Sequence, residues 1–281
     1  MPTIKSLFAK LRPKRYGRKQ HLVLINGLAE QNESWFRNLK YWTRFFEIHK
    51  PNILAYEGDA FHQRIAEGLP ITVDYLVEQL KLYLDQFVQN PPYHIVSSSL
   101  GGKVAVEFAA RYPHLVGRVV LMCPSGMGDV EQLPLMEGIR RSDYEAVVRS
   151  VFNSTRNLEK DLLRYYRRTF SSKKWKKGLI RTVKGTNDHL VRAQLSKIPN
   201  KVLFISGAMD KIVDPAEGER AARELQDGQY ISIPRCGHAP QIEKSGYINR
   251  LVVHFLLHPK PNCQSKLRLL LTKYKPSRVN S

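Results

Sequence analysis

The most chemically informative stretch is SSSLGG, residues 97–102, where three serines stand between an apolar run and two glycines. A serine nucleophile on a sharp strand-to-helix turn needs small residues two positions before it and two positions after it, because the backbone is crowded at both places. Ser99 meets this requirement, with Ser97 before it and Gly101 after it, whereas the other two serines have bulky residues at these positions. The spacing predicts that Ser99 is a nucleophile, with the positive end of the following helix close to its side chain.

A serine hydroxyl also needs a general base and a group that orients the base. His238 lies in a loop flanked by glycine and proline directly after the last apolar run. Asp210 follows the preceding apolar run and is predicted to accept a hydrogen bond from the imidazole of His238. Asp129, after an earlier run, is an alternative acid, and so is Asp214, which could instead cap a helix. The predicted catalytic set is Ser99, Asp210 and His238, in that chain order.

The elements that must position these residues alternate along the chain. Helical patterns cover residues 72–88, 102–113, 215–226 and 247–258. Six short apolar runs, most of them rich in β-branched residues, predict buried strands at 21–26, 52–57, 93–98, 118–124, 201–207 and 229–234. Strands that alternate with helices form parallel sheets covered on both faces. The sequence therefore predicts an α/β fold, and the loop of His238 reaches the carboxyl edge of its sheet.

The alternation is interrupted between about residues 127 and 197, where helical patterns occur without a convincing strand. This segment is predicted to form a helical cap over the sheet. Its apolar and aromatic side chains favour a substrate with a hydrophobic portion, and Trp175 is a candidate contact to that substrate.

With these motifs in this order, the chain resembles the α/β-hydrolase fold superfamily across about residues 20–258. SSSLGG is similar to the G-x-S-x-G-G turn of that family, GAMDKIVDP to its acid loop, and CGHAPQIEK to its histidine loop. The stretch NGLAEQNESW matches the family's loop after an early strand, except that Asn26 stands where the family has histidine.

The resemblance implies an oxyanion hole formed by the backbone N–H groups of Leu28 and Leu100. Gly27, next to Leu28, and Ser98, next to Ser99, are candidate substrate contacts, although Ser98 could equally contact nothing in the substrate. No metal ion or cofactor is implied.

The function predicted from these residues is hydrolysis of a carboxylic ester by a serine hydrolase, through an acyl-enzyme on Ser99. An acyltransferase and a carbon–carbon bond hydrolase are alternatives that use the same three residues. A non-catalytic, membrane-associated binding module is the alternative from a different class.

The charge of the chain is concentrated in three segments. The formal net charge is +20, and net charges of +7, +9 and +6 fall on residues 1–19, 156–184 and 259–281. The rest of the chain is close to neutral. Basic segments of this kind favour an anionic membrane surface or an acidic carrier as a partner. No fold motif for nucleic-acid binding accompanies them, so nucleic acid is not expected as a partner.

Residues 1–19 and 259–281 are predicted to be basic terminal segments on either side of the hydrolase domain. In the first, IKSLFAKLR places apolar residues at helical spacing among cations, a pattern suited to peripheral binding on lipid. The N-terminus lacks the apolar core of a secretory signal but is compatible with a short organellar presequence. Three scattered cysteines provide no disulfide framework, which favours a reducing compartment such as the cytoplasm.

Overall fold

The structure is a computed structural model that describes residues 19–30, 32–128, 138, 141, 143–154 and 160–273. The predicted lipid-binding segment at residues 1–18 and the alternative acid Asp129 therefore lie outside the described residues. Among the helices that are described, none is both long enough and apolar enough to cross a bilayer.

A six-stranded sheet forms the centre of the protein, and all of its strands pair in parallel. Its order is β2-β1-β3-β4-β5-β6. The strands are β1 (Gln20–Ile25), β2 (Phe46–His49), β3 (Tyr93–Ser98), β4 (Val116–Met122), β5 (Lys201–Gly207) and β6 (Gly228–Ile233). The central strands are buried along most of their length because helices cover both faces, which is why they read as continuous apolar runs.

Five of the six predicted strands are confirmed, and the prediction of a strand at 52–57 is wrong. This stretch forms two tight turns, with the N–H of Tyr56 bonded to the carbonyl of Leu54 and that of Gly58 bonded to Ala55. Its apolar side chains are buried in the core, and a short run of buried apolar residues has the same composition as a buried strand. The strand in this part of the chain is β2, a short edge strand whose alternating exposure gives a weak signal.

The helices match the predicted pattern closely outside the cap. They are α1 (Phe36–Trp42), α2 (Asp59–Ala66), α3 (Val73–Phe87), α4 (Leu100–Arg111), α5 (Tyr144–Val151), α6 (Lys160–Ser171), α7 (Lys173–Thr186), α8 (Pro215–Ala222), α9 (Pro240–Glu243), α10 (Ser245–Leu257) and α11 (Cys263–Lys273). Short 3₁₀ helices occur at Asn32–Trp35, Pro113–Leu115 and Arg192–Lys197. The α/β architecture with helices on both faces of a parallel sheet is confirmed.

Two apolar clusters cover the two faces of the sheet. One contains buried side chains of α3, α4 and α8, and the cap helices α5, α6 and α7 add to it. The other contains side chains of α1, α10 and α11. The cap helices therefore pack on the same side as α3 and α4, where the nucleophile turn is located.

The C-terminal segment contributes to the second cluster as far as α11. Cys263, Leu267 and Leu270 of that helix are buried against the rest of the protein. Leu267 and Leu270 thus pack inward, whereas Leu269 is exposed, and residues 274–281 lie outside the described part of the chain.

Candidate active site

Ser99 occupies a strained turn between β3 and α4. Its backbone angles are φ 49° and ψ −120°, a conformation that non-glycine residues rarely adopt. The surrounding structure maintains this conformation, because the N–H of Ser99 donates to the carbonyl of Met122 and its own carbonyl accepts from Gly102 and Ser125. Strain of this kind persists where the fold over-determines it, and it is concentrated at functional sites.

The small residues around Ser99 fill the crowded positions that the sequence predicts. A Cβ atom at Gly101 would lie 2.5 Å from the carbonyl oxygen of Asn26 and 2.6 Å from that of Ile25. Ser97 is completely buried, and its hydroxyl donates to the carbonyl of Val120 at 3.4 Å. The extra hydroxyl at position 97 is thus bonded to the neighbouring strand β4.

His238 and Asp210 form a hydrogen-bonded pair. His238 Nδ1 lies 2.8 Å from Asp210 Oδ2, and both side chains are almost fully buried. The other carboxylate oxygen of Asp210 accepts from the backbone N–H groups of Ile212 at 2.8 Å and Val213 at 3.1 Å. Burial on its own would raise the pKa of Asp210, but His238 and these N–H groups outweigh burial and hold the pKa below its usual value. Asp210 is therefore an ionised group that orients the imidazole.

The alternative acid Asp214 has a structural role. Its carboxylate accepts a hydrogen bond from the N–H of Ala216 at 2.9 Å and caps helix α8.

A pocket at the carboxyl edge of the sheet brings the predicted nucleophile and base together. Both Ser99 and His238 line it, although they are 139 residues apart in the sequence. The rest of the lining is mainly apolar and comes from the loop after β1, the loop after β5 and the cap: Leu28, Ala29, Glu30, Val147, Val151, Tyr166 and Ile212. The cap also contacts the histidine loop directly, since the N–H of His238 donates to the carbonyl of Val151 at 2.8 Å.

The loop after β1 approaches Ser99 closely. A Cβ atom at Gly27 would lie 2.9 Å from the Cβ of Ser99, so this position tolerates only glycine without movement. Ala29 has φ 59° and its N–H donates to the hydroxyl of Tyr56 at 3.3 Å. Among the described residues, no acceptor bonds the N–H of Leu28. This donor, on a loop held from both sides, is available to a ligand in the pocket.

Glu30 is a site residue that the sequence analysis missed. Its Oε2 accepts from the N–H of Gly27 at 3.0 Å, and its Oε1 lies 3.4 Å from the hydroxyl of Ser98 and 3.2 Å from Nε2 of Gln241. Burial raises the pKa of Glu30, although hydrogen bonds and the nearby His238 oppose the rise. The available signal was its position three residues after Gly27, where a side chain can bond back to the backbone of a turn.

Asn26, which stands where the resembling family has histidine, lies just outside the pocket. Its Oδ1 accepts from the indole N–H of Trp35 at 2.8 Å, and both side chains are buried. The substitution leaves the backbone of Gly27 and Leu28 in place.

None of the three predicted substrate contacts, Gly27, Ser98 and Trp175, is among the described residues that line the pocket. Trp175 is completely buried and packs against Tyr56 and Phe170, with ring centroids 5.4 Å and 5.1 Å away. It fixes the cap to the sheet domain, because its large apolar surface is buried between them. Ser98 lies behind the pocket and is bonded to Glu30 and Gln241.

Two groups of side chains have donor atoms close enough to hold a metal ion. Cys123, Asp210 and His238 form one group, and His21, Glu47 and His49 form the other, with donor atoms within 4.8 Å of one another in each. In the first, the aspartate and histidine already bond each other, and burial raises the pKa of Cys123, which disfavours the thiolate that metals require. The second lies on β1 and β2, outside the pocket, with His21 Nδ1 2.9 Å from His49 Nε2.

Several known proteins are similar to this chain. The chain is 21% identical over 264 residues to monoacylglycerol lipase ABHD6 of Mus musculus, covering 86% of this chain and 77% of the relative. It is 27% identical over 180 residues to 2-hydroxy-6-oxo-6-phenylhexa-2,4-dienoate hydrolase of Comamonas testosteroni, covering 58% of this chain and 62% of the relative. The crystal structure of a carboxylesterase from Bacillus subtilis superimposes with a TM-score of 0.70 at 20% identity, covering 86% of this chain and 85% of that one.

The family described as alpha/beta hydrolase fold matches residues 20–245, which contain the whole sheet, the strained serine turn and the His238–Asp210 pair. This protein therefore belongs to the alpha/beta hydrolase fold family.

Proposed function

We propose that this protein is a serine hydrolase that cleaves a carboxylic ester through an acyl-enzyme. The observation that carries the proposal is the convergence of a strained Ser99 and a His238 oriented by Asp210 on one apolar pocket. A nucleophile, a base and a group that orients the base are the components of acyl transfer to serine.

In the proposed reaction, the Ser99 hydroxyl attacks the ester carbonyl carbon while Nε2 of His238 takes its proton. The carbonyl oxygen becomes negative and accepts hydrogen bonds from the N–H groups of Leu28 and Leu100. Collapse of this intermediate expels the alcohol, which receives the proton from His238, and leaves the acyl group on Ser99. Water then attacks the acyl carbon with His238 again as base, so the carboxylic acid is released and Ser99 is restored. Asp210 stays ionised and stabilises the charged imidazole throughout.

The pocket favours an ester with an apolar acyl portion. Val147, Val151, Tyr166 and Ile212 provide apolar surface beside Ser99, and the cap supplies three of them. Burial of apolar substrate surface contributes about 25 cal/mol per Å², so each added methylene strengthens binding until the pocket is filled.

Purified protein is expected to hydrolyse soluble p-nitrophenyl esters with a kcat/KM that rises for the first methylene added to the acetyl ester and levels off once the pocket is filled. Each methylene that the pocket buries adds about 0.8 kcal/mol, which corresponds to a factor of about four. Initial rates across the acyl series measure this dependence. Equal kcat/KM values throughout the series would contradict an apolar acyl pocket beside Ser99.

Carbon–carbon bond hydrolysis is a second candidate, supported by the similarity to the 2-hydroxy-6-oxo-6-phenylhexa-2,4-dienoate hydrolase. Acyl transfer to an alcohol or thiol uses the same acyl-enzyme. Product analysis distinguishes the three reactions, since an acyltransferase gives a new ester or thioester, and a carbon–carbon hydrolase consumes a vinylogous diketone faster than an ester. A non-catalytic binding module would turn over none of these substrates.

Glu30 is proposed to position the loop that carries the Leu28 donor. Replacing Glu30 with alanine removes the acceptor of the Gly27 N–H, so kcat is expected to fall about 10- to 100-fold with KM nearly unchanged; complete loss of an oxyanion donor costs about 10²- to 10³-fold. Glu30→Gln is the matched control, because its amide oxygen can still accept from Gly27. The side-chain amide of Gln241, whose Oε1 has no partner among the described atoms, can rotate by about 180° so that this oxygen accepts from the new amide N–H. Equal losses of kcat in both variants would contradict the positioning role.

The raised pKa of Glu30 adds a dependence of stability on pH. Above its ordinary value of 4.5, the unfolded chain releases this proton while the folded protein retains it, so this residue's contribution to stability falls as the pH rises. The free energy of unfolding of Glu30→Gln, relative to that of the unmodified protein, is therefore expected to increase from pH 4.5 upward in urea titrations. A constant difference between the two would contradict the shifted pKa.

A further inference from the structure

The outer surface of the cap carries a dense set of cations. Exposed basic side chains recur at helical spacing along α6 and α7 and define a cap basic face: Lys160, Arg164, Arg167, Arg168, Lys173, Lys174, Lys177, Arg181 and Lys184. Residues 160–186 contain one acidic residue, Asp161. Lys174 reaches Asp59 of helix α2 at 2.8 Å. The positive charge of this surface is therefore largely uncompensated by acids of the same segment.

The opposite sides of α6 and α7 are apolar and buried. Tyr166, Phe170 and Trp175 point into the core, and Tyr166 also lines the pocket that contains Ser99. Helix α6, which carries Arg164, Arg167 and Arg168 of the cap basic face on its outside, thus forms part of the pocket wall on its inside through Tyr166. A bilayer bound to the outside of this helix lies one helix diameter, about 10 Å, from the pocket.

We propose that the cap basic face binds the surface of an anionic phospholipid bilayer and so presents the pocket to esters dissolved in that bilayer. This inference rests on the proposed function, because an apolar ester is concentrated in lipid. Each Lys or Arg close to an anionic membrane surface strengthens binding about fivefold. Several cations on one face therefore suffice for reversible binding, which salt weakens.

The position of the aromatic side chains favours lipid over nucleic acid. Proteins that bind single-stranded nucleic acid stack bases on exposed aromatic rings. Here Tyr166, Phe170 and Trp175 are buried, and Tyr165 is partly buried against the same core. The described outer surface of the cap therefore presents cations, which bind phosphate, but few exposed aromatic rings on which nucleobases could stack. An apolar pocket directly beneath the same helices favours a bilayer over an acidic protein, since a bilayer supplies both the anionic surface and the apolar substrate.

Co-sedimentation of the full chain with vesicles tests the proposal. Binding is expected to phosphatidylcholine vesicles that contain about one third phosphatidylglycerol, and not to pure phosphatidylcholine. Combined replacement of Arg167, Arg168, Lys177 and Arg181 with glutamine is expected to weaken binding about 100-fold. The matched control replaces four exposed cations outside the cap with glutamine, namely Lys40, Arg44, Lys260 and Arg268, and is expected to weaken binding less than about fivefold.

Several results would overturn the proposal: equal binding by the two variants, equal binding to both kinds of vesicle, or binding by the unmodified protein that does not weaken with salt. Stronger binding to duplex DNA or to an acidic protein than to anionic vesicles would also overturn it. Both variants are expected to turn over a soluble ester at the unmodified rate, because no replaced side chain lines the pocket. Absence of all ester turnover with intact vesicle binding would refute the proposed function and leave the docking surface supported.

Discussion

Replacement of Ser99 with alanine is expected to lower kcat for ester hydrolysis by a factor on the order of 10⁴ to 10⁶, because the hydroxyl is the only covalent nucleophile in the proposed reaction. KM for a soluble ester is expected to change little, since the pocket wall is unaltered. The same replacement is expected to abolish covalent labelling by a fluorophosphonate probe, which reacts with an activated serine. Steady-state kinetics and intact-protein mass spectrometry measure the two effects.

Ser97→Ala is the matched control for this experiment. Its hydroxyl bonds the carbonyl of Val120 in β4, away from the reacting atoms, and alanine preserves the small size that the turn requires. Labelling and turnover are expected to persist in this variant. Turnover that survives in Ser99→Ala, or labelling that is lost equally in both variants, would refute Ser99 as the nucleophile.

Replacement of Asp210 with asparagine is expected to lower kcat about 10⁴-fold while leaving the fold intact. The carboxylate accepts a hydrogen bond from Nδ1 of His238 at 2.8 Å, which leaves Nε2 free to take a proton. An asparagine amide can donate to Nδ1 instead, and this favours the tautomer whose Nε2 already carries a proton. Such an imidazole cannot accept the proton of Ser99.

Asp214→Asn is the matched control, because it removes one negative charge from the same loop without altering the partner of His238. Asp214 caps α8, and asparagine caps helices about as well, so stability is expected to change by less than about 1 kcal/mol and kcat by less than about twofold. Thermal unfolding and steady-state kinetics of the two variants provide the comparison. A large loss of kcat in Asp214→Asn, with Asp210→Asn nearly unchanged, would assign the acid to Asp214.

The parts of this site that could be predicted from the sequence are those that local backbone chemistry controls. Ser99 was identifiable because the size limits of a strained turn act within two residues on either side, and those residues are adjacent in the sequence. The strands that bring Ser99, Asp210 and His238 to one edge were identifiable because strands buried on both faces are continuously apolar. The chain order of the three motifs then indicated the fold.

The wrong predictions concern residues whose structure is decided by contacts with distant parts of the chain and not by the sequence pattern around them. The stretch at 52–57 has the composition of a strand because its side chains are buried, yet its backbone turns twice. Trp175 resembles a substrate contact in sequence, and only its packing on Tyr56 and Phe170 assigns it to the interior.

By itself, the sequence determined the fold class, the nucleophile turn and the order of the three candidate catalytic residues, because each depends on short-range backbone geometry or on apolar periodicity. Only the tertiary structure decided what surrounds those residues. It bonded Glu30 to the N–H of Gly27, lined the pocket with Tyr166, and separated the exposed cations of the cap from its buried aromatic side chains. These arrangements depend on contacts between segments up to about two hundred residues apart, and neither composition nor spacing encodes such contacts.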